Sequence, residues 1–263
     1  MAVTLDGENY VLLDASPDLK NQLEFCGVLP KELHVGQTYE RNTRIEGIFL
    51  THGHGDHCVG LFELSTGRCF NTPVYAPADV IEYLFGSEER PMFFKELGRL
   101  APDYVKPLPI SEGKVVTLFG DRLSVRGLGI PHTPLRNGRH FPTCTFAYEV
   151  SAEECRFVYA PDLACLTDEL LNTLDGADLF MLDGTFWWND ELERLSGLRK
   201  TSSELGHVPM DESFKILSDM GIGQVVYTHL NHTNPVLKPG NPYARMLARK
   251  GFKIAHDGQI LGL

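Results

Sequence analysis

The sequence predicts a mixed α/β protein in which two sheets are covered by helices. Three observations lead there. Apolar segments of strand length alternate with polar turns along the whole chain, with no long linker and no internal repeat. The first half reads mostly as β-hairpins, whereas the second half alternates strands with helices. Several residues of metal-ligand type stand directly after predicted strands, where α/β proteins place their sites.

In chain order, Val3 to Leu5 and Tyr10 to Leu13 form a hairpin around Asp6-Gly7-Glu8-Asn9. Ser16-Pro17-Asp18 starts a helix through Leu23, with proline at an early position. Ile45 to Thr51 is a buried strand, and Cys58 to Leu64 starts a helix after it. Val74 to Ala76 is a short strand followed by a helix from Pro77 to Phe85. Val115 to Phe119 and Leu123 to Leu128 flank the turn Gly120-Asp121 as a second hairpin. Cys144 to Val150 and Arg156 to Ala160 form a third. Leu166 to Leu174 is helical, and Leu179 to Leu182 is a buried strand that runs into Asp183. Asp211 to Met220 is a helix closed by Gly221, and Val225 to Thr228 is a strand ending at His229. Tyr243 to Lys250 is the last helix, and Phe252 to Ala255 with Ile260-Leu261 closes the chain.

The 263 residues suit one large α/β domain or two small ones, and we take residues 1–263 as a single domain. The net charge of −11 argues against nucleic acid as a partner but leaves room for a local basic pocket that holds a small anion. Arg136, Arg139, Arg199 and Lys200 are candidates for that grip, although each alone reads as a solvated charge. No apolar run approaches the roughly 18 residues of a membrane span, and the first residues lack a charged start and an apolar core. A soluble cytoplasmic protein with reduced thiols is therefore expected for the six scattered cysteines. Cys58, next to His57, reads as a small buried residue rather than a ligand.

The densest chemistry lies in His52-Gly53-His54-Gly55-Asp56-His57, which packs three imidazoles and a carboxylate into six residues. Imidazole is the commonest metal ligand, and glycine lets the backbone fold tightly enough to aim several side chains at one place. Further ligand-type residues end later strands: His132 after Val125–Ile130, Asp162 after Phe157–Ala160, Asp183 after Leu179–Leu182 and His229 after Val225–Thr228. Strand ends at one sheet edge converge, because neighbouring strands lie about 4.8 Å apart. His52, His54, Asp56, His57, His132, Asp162 and His229 are enough for two metal ions, with Asp162 as the natural bridge because a carboxylate has two oxygens.

The HGHGDH run matches the H-x-H-x-D-H motif of the metallo-β-lactamase superfamily, and His132, Asp162 and His229 follow in that superfamily's order. Within it the chain resembles the pyrroloquinoline-quinone (PQQ) biosynthesis protein B family. The resemblance rests on Leu13-Asp14-Ala15-Ser16-Pro17-Asp18, Asp183-Gly184-Thr185-Phe186-Trp187, Gly206-His207-Val208-Pro209, His229-Leu230-Asn231-His232-Thr233-Asn234-Pro235 and His256-Asp257-Gly258. It implies a four-layer αββα fold. It differs from that family in keeping every histidine of a motif that is usually degraded there. It also lacks the usual Gly-rich first strand and Cys-rich segment, so an open sheet edge is expected, and a homodimer is one way to cover it. The intact motif looks equally similar to the phosphodiesterase branch of the superfamily.

By this resemblance His52, His54 and His132 hold one divalent ion, Asp56, His57 and His229 hold a second, and Asp162 bridges them. Zinc is the default for such a donor set, with iron or manganese also suited to it. The implied reaction is hydrolysis of a small-molecule, anionic ester, a phosphodiester foremost, by hydroxide held between the ions. The alternative is an iron-dependent oxygenase that hydroxylates a tyrosine-derived precursor of a PQQ-type cofactor. Asp56 and His207 are the catalytic candidates, His207 as a general acid. Asp183, Asn231 and His232 are candidates for orienting ligands or lining the pocket; Asp183 also reads as a loop cap. Trp187-Trp188 reads as an aromatic pair buried under a loop, and His34, His140 and His256 as loop or turn residues.

Overall fold

In the computed structural model, which describes residues 1–25, 44–64, 72–86, 105–132 and 144–263, strands β1 (Ala2–Val3) and β2 (Tyr10–Leu13) pair antiparallel. The turn between them is built by side chains. Thr4 Oγ1 accepts from the backbone N–H of Gly7 at 2.8 Å, and Asp6 Oδ1 accepts from those of Glu8 and Asn9, each at 2.8 Å. The first sheet then departs from the expected hairpins. Strands β2, β3 (Ile45–Phe49), β4 (Thr72–Pro77) and β5 (Val105–Ile110) are all parallel neighbours, in the order β1-β2-β3-β4-β5. Hydrophobic periodicity marks Ile45–Thr51 and Val74–Ala76 as strands but does not name their partners.

Strand β5 lies outside the predicted elements because Pro107 and Pro109 interrupt it. Both prolines share one parity, so their missing N–H groups fall on one side of the strand. Among the described residues β5 is the edge strand, where an outward side tolerates proline. Helices α1 (Leu19–Phe25), α2 (Gly55–Cys58), α3 (Leu61–Leu64) and α4 (Ala78–Phe85) pack on this sheet. Leu19, Leu23, Cys58, Leu61, Leu64, Val80 and Leu84 form one core with Leu12, Ile48, Val74 and Ala76.

The helix expected from Cys58 breaks in two at Gly60. There the chain runs against the backbone after β2: the Gly60 N–H donates to Ala15 O at 2.9 Å, and a Cβ at Gly60 would lie 2.1 Å from Ser16 O.

The described residues form two compact units, the first made of those up to Arg122 with 144–146, the second of Leu123–His132 with Ala147–Leu263. The chain passes from the first to the second at the turn between β6 (Val115–Leu118) and β7 (Leu123–Ile130). The second sheet has the order β12-β11-β10-β9-β8-β7-β6. Here β8 (Thr145–Ala152) pairs antiparallel with β9 (Cys155–Ala160), as expected for a hairpin. Strands β9, β10 (Leu179–Asp183), β11 (Gln224–Thr228) and β12 (Lys253–Ile254) are parallel, and every residue of β10 is buried.

Helix α5 (Asp168–Leu174) starts where Thr167 accepts from the Leu170 N–H, two residues inside the expected start. Helix α6 (Glu191–Ser196), which is not among the expected elements, ends at Gly197 with φ 70°. Helix α7 (Met210–Leu217) and α8 (Pro242–Arg249) complete this unit, α8 capped by Asn241 with proline in its first turn. Leu170, Leu174, Met210, Leu217 and Leu247 pack with Ala147, Val158, Phe180, Leu182 and Val225. Ile260-Leu261 is not part of a strand, and Ile260 is 92% exposed.

Gly60→Ala is expected to destabilise the fold by roughly 1–3 kcal/mol or more, because the added methyl meets fixed backbone oxygens rather than a movable side chain. Chemical denaturation followed by circular dichroism measures this; Gly221→Ala, where an added Cβ meets nothing within 4 Å, is the control.

Candidate metal centre

In the first unit a buried carboxylate sets the geometry. Asp14 follows β2 directly, is 7% exposed, and adopts a left-handed φ of 62°. Its N–H donates to Phe49 O at the end of β3. Its side chain accepts from Thr51 N at 2.8 Å, from Thr51 Oγ1 at 3.0 Å and from His57 Nδ1 at 2.9 Å. Burial alone would raise the Asp14 pKa, but the charge and hydrogen bond of His57 and the Thr51 N–H outweigh it and hold it below the usual range.

These bonds also decide two tautomers. Thr51 has one hydroxyl proton and gives it to Asp14, so at 2.9 Å it accepts from His52 Nδ1–H. His57 likewise gives its Nδ1 proton to Asp14. Both rings are left with the Nε2 lone pair. His52 Nε2 lies 2.8 Å from His54 Nδ1, and His57 Nε2 lies 3.7 Å from Asp56 Oδ2, with Asp56 exposed. Cys58 is buried with its thiol 3.0 Å from His54 O, and burial, with the charges of Asp14 and Asp56, pushes its pKa up. It is a core residue of α2 that props the histidine loop.

In the second unit the strand ends do the same work. His132, just beyond β7, donates Nδ1–H to Gly206 O at 2.8 Å and places Nε2 3.4 Å from Asp162 Oδ2. Asp162, two residues beyond β9, is 2% exposed, and its Oδ1 lies 3.0 Å from His229 Nδ1 and 3.9 Å from His207 Nδ1. One ligand atom from each of Asp162, His207 and His229 fits within a span of 4.8 Å. His229 turns off β11 with φ 57°, again left-handed.

Asp183, the fully buried last residue of β10, accepts from Leu163 N and Thr185 N, each at 2.9 Å, and from His207 Nδ1 at 2.7 Å. Thr185 Oγ1 sits 3.2 Å from His207 Nδ1 and 3.0 Å from His229 Nδ1. Gly184 is required beside it, since a Cβ there would lie 2.7 Å from Thr228 O. Burial lowers the His207 pKa, but the bond to Asp183 and the charges of Asp183 and Asp162 more than reverse this and raise it overall.

The donor chemistry fits divalent ions. Three imidazoles have Nδ1 engaged by a carboxylate, a hydroxyl or a carbonyl, the arrangement that fixes the tautomer and ring plane of metal-ligating histidines. Asp183 orients His207. Asn231 donates to Thr233, whereas His232 is exposed. Trp187 is buried and stacks on Tyr243 at 4.6 Å. Arg199, Lys200 and His256 are exposed. His34, Arg136, Arg139 and His140 lie outside the described residues.

Asp14, Thr51 and Thr185 were not among the site residues read from sequence. The signal that picked out Asp162 and Asp183, a carboxylate at the end of an apolar strand, applies equally to Asp14 after Tyr10–Leu13. Thr51 and Thr185 carry no such signal.

The chain belongs to the β-lactamase superfamily domain family, whose model matches residues 9–230. With its two helix-covered sheets and clustered imidazoles and carboxylates, it is a metal-dependent enzyme of the metallo-β-lactamase fold. Its similarity is more particular than that. It is 30% identical over 272 residues to coenzyme PQQ synthesis protein B of Xanthomonas axonopodis pv. citri (strain 306), a match covering 100% of this chain and 86% of that protein. The Zn2+-bound PqqB structure from Methylobacterium extorquens is similar at 29% identity and a TM-score of 0.86, with 100% of this chain and 86% of that one covered. A diphosphatase from the PhnP family shares the fold at 20% identity and a TM-score of 0.64, over 98% of this chain and 80% of that one.

Asp14→Asn is expected to weaken zinc binding about 10- to 100-fold, because the neutral amide orients His57 less firmly. Asparagine tolerates the left-handed backbone at this position, so the fold should persist. Competition titration against a zinc chelator, with circular dichroism as the fold control, checks both parts.

Proposed function

We propose that this protein is a dinuclear metallohydrolase that cleaves a small anionic ester, a phosphodiester foremost. The observation that carries this reading is the tautomer locking of His52, His57 and His132, which gives each a defined Nε2 lone pair alongside an intact set of carboxylates. In the first unit His52, His54, Asp56 and His57 would supply ligands for the ions, and in the second His132, Asp162 and His229. Bound divalent ions lower the pKa of water towards neutrality and stabilise negative charge on an attacked phosphoryl oxygen.

The protein's own residues supply the rest. Thr51 and Asp14 keep the His52 and His57 rings from turning. Asp183 accepts the Nδ1 proton of His207, which leaves Nε2–H to be donated to the departing alkoxide. The hydrogen bond to Asp183 and the charges of Asp183 and Asp162 favour the protonated ring and raise the His207 pKa. Zinc suits the donor set, and manganese or iron tolerates it.

A second reading has its own support. The similarity to coenzyme PQQ synthesis protein B extends over the whole chain, which favours a role in making that cofactor, with iron and dioxygen as reagents.

Metal-loaded protein is expected to hydrolyse bis-p-nitrophenyl phosphate, with activity abolished in Asp162→Ala. His207→Asn should cost about 100- to 10,000-fold on a diester with an alkyl leaving group. It should cost far less on the p-nitrophenyl diester, whose leaving group needs no acid. Protein that cleaves neither phosphodiester nor lactone when metal-loaded, yet consumes dioxygen with bound iron, would overturn the hydrolase reading in favour of the second.

A further inference from the structure

Outside the metal-type residues, the second unit holds, among the described residues, one buried acid that the mechanism does not use. Glu191, the first residue of α6, is 1% exposed. Burial pushes its pKa up, opposed by the hydrogen bonds it accepts from Thr233, Trp187 and Trp188. An apolar side chain would pack here without that desolvation, so the carboxylate's value lies in its two acceptor oxygens.

Those oxygens join two loops that carry site residues. Glu191 Oε2 accepts from Trp187 N at 2.6 Å, on the loop that follows Asp183. Glu191 Oε1 accepts from Thr233 Oγ1 at 2.6 Å, on the loop that follows His229. Having given its proton to Glu191, Thr233 Oγ1 accepts from Asn231 Nδ2 at 2.6 Å. The Asn231 N–H donates to Thr185 O at 3.1 Å, and Asn234 Nδ2 donates to Gly184 O at 2.7 Å. The path ends at Thr185 Oγ1, 3.0 Å from His229 Nδ1.

His229 itself is a non-glycine residue at φ 57°, immediately after β11. Such a conformation persists only where the surroundings over-determine it.

We propose that Glu191 is a positioning residue for His229: acting through Thr233 and Asn231, it clamps the His229–Asn234 loop onto Thr185 and holds His229 in its left-handed turn with the ring set for metal. This rests on the reading of His229 as a metal ligand. Thr233 is the link in the clamp that can be cut without opening the buried acid's own cavity. Thr233→Val removes the hydroxyl at constant shape, and Thr233→Ser retains it.

The test is a Co2+ titration of the full chain after chelation, following the visible absorption bands for ligand geometry and the affinity of each ion, with the Tm of the metal-free protein measured in parallel. Thr233→Val is expected to weaken one of the bound Co2+ ions about 10- to 100-fold and to shift its bands. Thr233→Ser should restore both. Glu191→Gln should act in the same direction, and the double variant Glu191→Gln with Thr233→Val should be no weaker than the worse single one, since both cut one path.

Variants that bind Co2+ with wild-type affinity and spectrum while only the metal-free Tm falls would overturn the proposal, leaving Glu191 as a structural staple. So would Thr233→Ser behaving like Thr233→Val. A wild-type chain that takes up no Co2+ would overturn the proposal together with the metal-centre reading. Normal wild-type uptake with unchanged variants would overturn the proposal alone.

Discussion

A buried carboxylate that accepts the Nδ1 proton of an imidazole is the interaction around which each half of this chain is arranged. In the first unit Asp14 takes it from His57 at 2.9 Å, and in the second Asp183 takes it from His207 at 2.7 Å. Each carboxylate stands at the end of a strand, and each also collects backbone N–H groups of the loop it faces. A charge buried this deeply is tolerable only with several donors around it. The donors it recruits are the loops that bear the candidate ligands. The requirement to satisfy the acid thereby becomes the means of placing the imidazoles.

Strained backbone occurs at candidate site residues as well as in turns at Phe119, Asp121 and Glu153. Asp14 and His229 are both non-glycine residues with positive φ, and both fall in the first position after a strand, β2 and β11 respectively. A strand that must turn at once to present a side chain at the sheet edge has few conformations available, and the left-handed one is among them. Asp14 holds its turn by its own hydrogen bonds to Thr51 and His57. His229 is held from outside, by a loop whose bonds run to Thr185, Gly184 and the buried Glu191. Glycine serves the opposite purpose at Gly60 and Gly184, where the backbone angles are ordinary and a side chain would meet a carbonyl oxygen.

Much of this was legible in the chain itself. HGHGDH announced a strand-to-helix loop dense in ligands, and His132, Asp162, Asp183 and His229 were recognisable as strand ends because each follows an apolar run of strand length. What escaped notice did so for physical reasons. Strand β5 was hidden by Pro107 and Pro109, which an edge strand accepts and a central strand does not. Ile45–Thr51 and Val74–Ala76 were legible as strands but their parallel pairing was not, since alternation along a strand carries no information about the strand beside it. His232 and Asn231 looked alike by position, yet one is exposed and the other is bonded into the Thr233 brace.

The residue types and their order along the chain determined the fold class, the superfamily and the set of metal-type donors, because such donors spaced by glycine and set after strands have few other uses. Only the tertiary structure decided which nitrogen of His52, His57 and His132 carries the proton. That choice belongs to groups far away in sequence: Asp14 is 43 residues from His57, and Gly206 is 74 from His132. A histidine's donor and acceptor faces are assigned by what lies 3 Å away, and no local pattern records it.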